Sequence, residues 1–243
     1  MRNVIYSGAY TRKEICLGTS HVNNEDAMRV DKSNRLFQVA DGIGSHYESH
    51  ETSRNAVKTI AKHFDINRPQ TLHDALERAD IEIKQKCKSD GNERGTTLTA
   101  LHVGKRGIAY VAHSGDSRLY RFREGVLEQI TRDHTWRESG GDILPQMLGD
   151  TLTQSLGYLT PDARPFRCTL DIRHKDVYLL CTDGVHKEVQ DSKIEEILKR
   201  VVKNGLTPKK AAKKLVKLAE KPNCDDRTAV VLKILQKKEE RKR

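Results

Sequence analysis

The stretch LFQVADG at residues 36–42 is a short apolar run that ends in an aspartate followed by glycine. A second stretch, VYLLCTDG at 177–184, has the same arrangement. Short apolar runs bounded by turn residues are typical of buried strands. A strand end holds its side chains rigidly, and glycine lets another group approach the backbone closely. Asp41 and Asp183 are therefore candidates for a site at the edge of a sheet.

A third aspartate lies in a related place, because Asp225 comes shortly before the apolar run AVVLKIL at 229–235. One Asp-Gly pair after a strand is ordinarily a turn. Several carboxylates that converge on one point would repel one another unless a cation joined them. Oxygen ligands without a His/Cys cluster favour Mg²⁺ or Mn²⁺ over zinc. Two such ions can polarise a phosphoryl group and activate a shared water, with no nucleophilic serine or cysteine.

Hydrophobic spacing around these stretches predicts pairs of helices between groups of strands. Four helices are expected, around 56–64, 72–83, 192–203 and 207–219. Two hairpins are expected, one from 97–103 with 108–113 and one from 117–122 with 126–130. The order of strands, two helices, strands, two helices and a strand indicates an α+β fold with mainly antiparallel sheets.

The 243 residues, 36% of them hydrophobic, are enough for one core, and no linker divides them. We therefore expect a single domain at 1–236, with an irregular flap at about 133–165 and a basic C-terminal tail at 237–243. No apolar run approaches the roughly 20 residues of a membrane span, and no secretory signal is apparent. Five scattered cysteines without a C-x-x-C pair fit a reducing cytoplasm.

The formal net charge of +10 leaves two interpretations open. The lysines of 209–217 and the tail are either a solvated helix face with a frayed end or a surface that attracts an acidic partner or nucleic acid. Few aromatic residues lie among these lysines, which argues against a stacking site for nucleic acid.

Seven motifs in order make the chain resemble the metal-dependent protein phosphatases of the type 2C class, particularly their compact bacterial members. They are NED at 24–26, VADGIGSH at 39–46, GTTLTA at 95–100, SGDSRLY at 114–120, TQSLG at 153–157, CTDGV at 181–185 and DDRTAVVL at 225–232. Each motif is weak alone, and their order carries the resemblance. The fold that it implies is a four-layer αββα sandwich, with two central antiparallel sheets flanked by helix pairs.

The resemblance implies hydrolysis of phosphoserine and phosphothreonine in proteins by a metal-activated water, with two Mn²⁺ or Mg²⁺ ions and a third, weaker one. It also implies a cytoplasmic monomer that acts on phosphorylated proteins, among them a Ser/Thr kinase and its targets, without membrane or nucleic acid. A catalytically weak phosphatase-like module that binds or regulates is the alternative, and it would bind metal without turnover. A basic nucleic-acid-binding protein would explain the charge but not the ordered aspartates.

The roles implied by the resemblance fall on matching positions. Asp41, Asp183 and Asp225 would form the catalytic metal site, with Asp41 between the two ions. The Gly42 carbonyl would bind one ion directly, and Glu25 would bind through a water. The remaining implied roles belong to Asp26, which would orient a ligand or water from behind, and to Asp116, which would join Asp183 around the third ion.

Some positions have plainer interpretations or depart from the family pattern. Asp26 could be a capping residue, Asp116 could belong to a turn, and Arg118 is expected to stabilise the fold in an ion pair. His21 stands where many members have a phosphate-binding arginine, so we expect weaker phosphate binding, a more acidic pH preference, or a different phosphate-binding residue. Further departures are Ile43, at the position of a eukaryotic histidine, and Asp226, in place of an asparagine.

Overall fold

The computed structural model describes residues 2–12, 23–43, 47–105, 107–139, 149–157, 165–220 and 225–237. The predicted phosphate-binding His21, most of the predicted tail and much of the predicted flap lie outside these residues. None of the helices among the described residues is both long and apolar enough to cross a membrane.

The described part of the chain forms two five-stranded sheets and one two-stranded sheet, and every strand pair within it is antiparallel. In the first sheet the order is β1 (Arg2–Arg12), β12 (Arg227–Lys237), β11 (Val177–Cys181), β7 (Arg118–Arg123) and β8 (Val126–Gln129). In the second sheet the order is β10 (Phe166–Asp171), β6 (Ile108–Ser114), β5 (Leu98–Val103), β3 (Leu36–Asp41) and β2 (Asp26–Asp31). The small sheet pairs β4 (Gly95–Thr96) with β9 (Leu156–Gly157).

Among the residues that the structure describes, five helices accompany the sheets. They are α1 (Ser49–His63), α2 (Thr71–Asp90), the four-residue α3 (Asp183–His186), α4 (Asp191–Val202) and α5 (Pro208–Leu218). α5 begins as its sequence predicts, because Thr207 Oγ1 accepts a hydrogen bond from Lys210 N at 3.3 Å and Pro208 stands in the first turn. The four long helices coincide with the four that hydrophobic spacing predicts.

Successive side chains along a central strand point alternately towards the helices and towards the space between the two sheets. In β11, Leu179 packs with α4 and α5, whereas its neighbour Leu180 points between the two sheets. Such a strand is buried on both faces, which explains why its sequence is an unbroken apolar run rather than an alternating one. On the other side, Ala40 packs with α1 and α2, while Val39 points between the sheets.

The layers therefore run helix pair, sheet, sheet, helix pair, and the predicted four-layer αββα sandwich is confirmed. Hydrophobic spacing assigns no strand to the two-residue β9, which falls inside the predicted flap, and none to β10, which follows that flap. The burial of β10 alternates between half-buried and exposed along its six residues, as befits an edge strand. The prediction of one domain at 1–236 stays a prediction.

Candidate metal centre

Three chain segments end at the same edge of the sandwich and bring three aspartates together. Asp41 is the last residue of β3, Asp183 begins α3 directly after β11, and Asp225 lies two residues before β12. One carboxylate oxygen from each of the three lies within 4.8 Å of the others. Asp41 and Asp183 are half-buried and Asp225 is exposed, so the group opens to solvent on the Asp225 side. We call these three residues the acidic cluster.

The donor set of the acidic cluster fits a divalent cation. The Oδ1 atom of Asp183 is buried and accepts no hydrogen bond from any residue that the structure describes. A buried carboxylate oxygen without a donor is costly unless a cation binds it. Hard oxygen ligands without histidine or cysteine suit Mg²⁺ and Mn²⁺.

The GTTLTA motif fixes the backbone of Asp41. Asp41 N donates to Thr97 Oγ1 at 2.9 Å, and the Asp41 carbonyl accepts from Thr97 N and from Thr96 Oγ1, both at 2.8 Å. Thr96 and Thr97 are themselves buried. The two threonines thus hold the end of β3 through its backbone and leave the Asp41 carboxylate for the acidic cluster.

The glycine after each strand-end aspartate is required by close approach. A Cβ atom on Gly42 would lie 2.3 Å from the carbonyl oxygen of Ser49, and one on Gly184 would lie 2.2 Å from that of Asp226. Both distances are well below van der Waals contact, so no larger residue fits without displacing backbone. The Asp-Gly pairs therefore serve packing around the acidic cluster rather than ordinary turns.

Glu25 lies outside the acidic cluster and connects α1, Gly42 and Asp226 through hydrogen bonds. Its carboxylate accepts a hydrogen bond from Ser49 Oγ in α1, and its carbonyl accepts from Ser53 Oγ at 2.6 Å and from Gly42 N at 3.1 Å. Its backbone N donates to Asp226 Oδ2 at 2.6 Å. A carboxylate at position 226 thus accepts a hydrogen bond that an asparagine oxygen could also accept.

Asp26 lies behind the acidic cluster, directly opposite Asp41 in the β2–β3 register. Its Oδ2 accepts a hydrogen bond at 2.9 Å from Thr182 Oγ1, which in turn accepts one at 3.0 Å from Thr228 N. Thr182 precedes Asp183 in the chain. This chain of hydrogen bonds joins β2 to β12 through Thr182, the residue between β11 and Asp183, and so helps to position Asp183.

Asp116 lies beside Asp183 on the far side of the acidic cluster, and a lysine lies between them. The Nζ of Lys187 is 2.6 Å from Asp183 Oδ2 and 3.6 Å from Asp116 Oδ2. Sequence reasoning assigns no role to Lys187. Its spacing of four residues from Asp183, one helical turn, is the signal that could have found it.

The electrostatics of the acidic cluster follow from mutual repulsion. Burial and the charges of Asp26, Asp183 and Asp225 raise the pKa of Asp41 well above its usual range. Burial and the charge of Asp183 raise the pKa of Asp225 to about 8. Burial also opposes ionisation of Asp183, but Lys187 and a hydrogen bond from Asp41 outweigh it and lower the pKa of Asp183 to about 2. The metal-free cluster therefore holds protons that a cation would displace.

The sequence model of the family described as "Protein phosphatase 2C" matches residues 18–220. The chain belongs to the protein phosphatase 2C family. The serine/threonine protein phosphatase PstP of Mycobacterium tuberculosis is 32% identical over 230 residues, which cover 88% of this chain and 43% of that protein. The chain thus spans less than half the length of this relative. The serine/threonine phosphatase stp of Listeria monocytogenes is 27% identical over 198 residues, which cover 73% of this chain and 78% of that protein.

Two solved structures share the fold over almost the whole chain. PppA, a key regulatory component of T6SS in Pseudomonas aeruginosa, superposes with a TM-score of 0.81 at 27% identity, covering 96% of this chain and 100% of that one. The catalytic domain of PstP, solved in complex with two manganese ions, gives a TM-score of 0.79 at 28% identity, covering 96% and 100%.

Among the residues predicted from the protein phosphatase 2C resemblance, the structure brings Asp41, Asp183 and Asp225 into one group. Gly42, Glu25 and Asp26 surround that group, and Asp116 lies next to Lys187. Arg118 lies apart and forms an ion pair, since its guanidinium binds both oxygens of Asp133 at 2.7–3.0 Å. The prediction of a fold-stabilising arginine at 118 is confirmed by this contact.

Proposed function

We propose that this member of the protein phosphatase 2C family hydrolyses phosphoserine and phosphothreonine in proteins, with two Mn²⁺ or Mg²⁺ ions bound by Asp41, Asp183 and Asp225. The observation that carries the proposal is the convergence of three carboxylate oxygens within 4.8 Å. Ions bound there would polarise the phosphoryl group and lower the pKa of a water that attacks phosphorus. The two manganese ions in the related PstP structure support this choice of cofactor.

The protein's own residues would hold the ions in a fixed arrangement. Asp41 would lie between the ions. Its backbone is held by hydrogen bonds to Thr96 of β4 and to the next residue, Thr97. The Gly42 carbonyl and, through a water, Glu25 would complete the coordination. Asp26 would orient Asp183 through Thr182. Rigid placement matters because misplacing a catalytic group by about 1 Å can cost about 100-fold in rate.

We further propose that the substrates are phosphorylated proteins, among them a Ser/Thr kinase and its targets, and that the protein acts as a cytoplasmic monomer. One domain at 1–236 would carry the activity, with the segment 133–165 as the flap beside the site. Nucleic acid and membrane play no part in this proposal. The names of the related serine/threonine phosphatases support the substrate class.

His21 is proposed to bind the substrate phosphate in place of the arginine found in many family members. A histidine is only partly charged near neutrality and donates fewer hydrogen bonds than arginine. The KM for a phosphothreonine peptide should therefore rise in His21→Ala and fall in His21→Arg. An unchanged KM in both variants would show that His21 does not contact phosphate.

The deciding experiment is phosphate release from a phosphothreonine peptide in the presence of Mn²⁺. Release should stop when a chelator removes the metal, and Asp183→Ala should abolish it. Asp74→Ala is the matched control, because Asp74 is an exposed aspartate in the first turn of α2 and lies outside the site. A folded wild-type protein that binds no Mn²⁺ and releases no phosphate would contradict the proposal.

The second candidate is a catalytically weak phosphatase-like module that binds or regulates. The contact of Lys187 with Asp183 favours it, because a lysine against a metal-binding carboxylate competes with the metal. The same assay separates the two candidates. Mn²⁺ binding without phosphate release from any phosphoserine or phosphothreonine peptide would favour the module.

A further inference from the structure

Lys187 lies over the acidic cluster because of the local backbone. The four-residue helix α3 begins at Asp183, and Lys187 N donates to the Asp183 carbonyl at 2.9 Å, which completes one helical turn. Side chains four residues apart lie on the same face of a helix. The lysine side chain therefore returns over Asp183, and its Nζ lies 2.6 Å from Asp183 Oδ2. About 39% of the Lys187 side chain is exposed.

Asp116 is the second carboxylate that Lys187 contacts, and its backbone is held in place by a hydrogen bond. It lies in the β6–β7 connection with 5% of its surface exposed. Its carbonyl accepts a hydrogen bond at 2.9 Å from His186 Nε2, which must carry the proton because a carbonyl only accepts. Lys187 Nζ lies 3.6 Å from Asp116 Oδ2. A buried carboxylate held by its backbone beside Asp183 needs a nearby positive charge.

A third divalent ion does not fit between Asp116 and Asp183 in this arrangement. An Mg²⁺ ion bound by both carboxylates would lie about 2.1 Å from an oxygen of each and would require further oxygen ligands. The ammonium already lies within contact distance of both carboxylates. The ammonium donates hydrogen bonds but has no lone pair with which to bind a metal, and its positive charge repels a cation. The resemblance to the family thus predicts three bound ions, whereas the position of Lys187 predicts two.

We propose that Lys187 takes the place of a third divalent ion in this protein, supplying from within the chain the positive charge that neutralises Asp116 and Asp183. This inference rests on the proposed two-ion phosphatase site. Lys187 acts here as a positioning residue, since it holds Asp183 and touches no reacting atom. Because the charge is covalently attached, it is present at every metal concentration.

The test counts bound Mn²⁺ by equilibrium dialysis with elemental analysis, and follows the titration by electron paramagnetic resonance of free Mn²⁺. Wild-type protein should bind two ions at saturation. Lys187→Ala and the better-matched Lys187→Gln should each bind a third, weaker ion. Adding Asp116→Asn to Lys187→Gln should remove the third ion again, and Lys187→Arg should keep two.

Lys193→Ala is the control for the loss of a lysine, because Lys193 is paired with Glu196 on the exposed face of α4. It should bind two ions, and near-ultraviolet circular dichroism would confirm that every variant is folded. Three ions in the wild type, or only two in both Lys187→Ala and Lys187→Gln, would overturn the inference while leaving the proposed function intact. A wild type that binds no Mn²⁺ would instead contradict the proposed function, and with it this inference.

Discussion

Two sets of aspartates in this molecule differ in the partners that the chain provides. Asp176 is 1% exposed, and both of its oxygens are bound by Arg123, at 2.8 and 2.7 Å. Asp133 is similarly bound by Arg118. In the acidic cluster, by contrast, Asp41 and Asp225 mainly face other carboxylates. Residue type therefore does not distinguish a structural aspartate from a metal-binding one, whereas an internal cation that binds both carboxylate oxygens does.

Because of Lys187, negative charge is neutralised on only one side of the acidic cluster. One side, at Asp183, has an internal cation and remains ionised, while the other side, at Asp225, has a raised pKa. A site that was fully neutralised by lysines and arginines would have no affinity for a divalent ion. We infer that the unneutralised side is where metal binding gains most free energy.

The largest expected effect is on phosphatase activity, which should fall when an aspartate of the acidic cluster is changed but not when an arginine-bound aspartate is changed. Asp41→Asn should reduce Mn²⁺-dependent phosphate release by about 1000-fold or more, equivalent to ~4 kcal/mol of transition-state stabilisation, because it removes a carboxylate from the proposed ion site. Its metal-free fold should be at least as stable as the wild type, because in the wild type Asp41 must either carry a charge that its carboxylate neighbours repel or take up a proton, and asparagine does neither. Thermal unfolding in chelator and steady-state kinetics would measure the two quantities.

Asp133→Asn is the counterpart, since it alters an arginine-bound aspartate outside the cluster. It should lower stability and leave the activity of the folded protein within about tenfold of the wild type. If Asp41→Asn kept its activity, or if Asp133→Asn lost as much as Asp41→Asn, the distinction between the two sets would be wrong.

The next effect concerns stability. Arg123→Ala should lower the free energy of unfolding by about 3 kcal/mol, because Asp176 would keep a buried charge without its arginine. Arg29→Ala is the matched control, since the Arg29 side chain that pairs with Asp31 in β2 is 44% exposed, and it should cost less than about 1 kcal/mol. Urea denaturation would compare the two, and equal losses would argue against a special role for the buried pair.

The smallest effect is the pH dependence of the metal-free protein. Asp225 has a pKa of about 8 when folded and an ordinary value of 3.8. Between about pH 4 and pH 8 the folded protein therefore holds a proton that the unfolded chain has released. Stability from this group is complete at the acidic end and is lost as pH rises towards 8.

Thermal unfolding in chelator, measured from pH 5 to pH 8, would test this direction. The melting temperature should fall with rising pH in the wild type, and the slope should be shallower in Asp225→Asn. Identical slopes in the two proteins would show that Asp225 is not a source of the dependence. Asp183 does not contribute in this window, because its pKa of about 2 lies below it.

The parts of the structure that sequence predicted are those encoded locally. The run VYLLC at 177–181 signals a strand buried on both faces, and Asp183 follows it after one residue, Thr182, so both the strand and the strand-end carboxylate could be predicted. The four long helices have apolar residues at helical spacing. In each case, neighbouring residues along the chain carry enough information.

The parts that could not be predicted depend on contacts between distant segments. Lys187 has its role only because Asp116, more than 70 positions earlier, lies against Asp183. The hydrogen bond from Glu25 N to Asp226 likewise joins residues 201 positions apart. β10 is an exception, because its residues alternate between apolar and polar from Phe166 to Asp171, which is a local signal for a strand, and its pairing with β6 agrees with that signal.

The pairing of β1 with β12 has a consequence for how the protein forms in the cell. These strands match over eleven residues, from Arg2 opposite Lys237 to Arg12 opposite Arg227. At translation rates of about 5–20 residues per second, β1 would wait roughly 10–40 s for its partner to be synthesised. A lone strand exposes backbone groups that invite aggregation, so a nascent chain would benefit from a chaperone during that interval. Asp225 lies two residues before β12, and the ion-binding site would thus be among the last features to form.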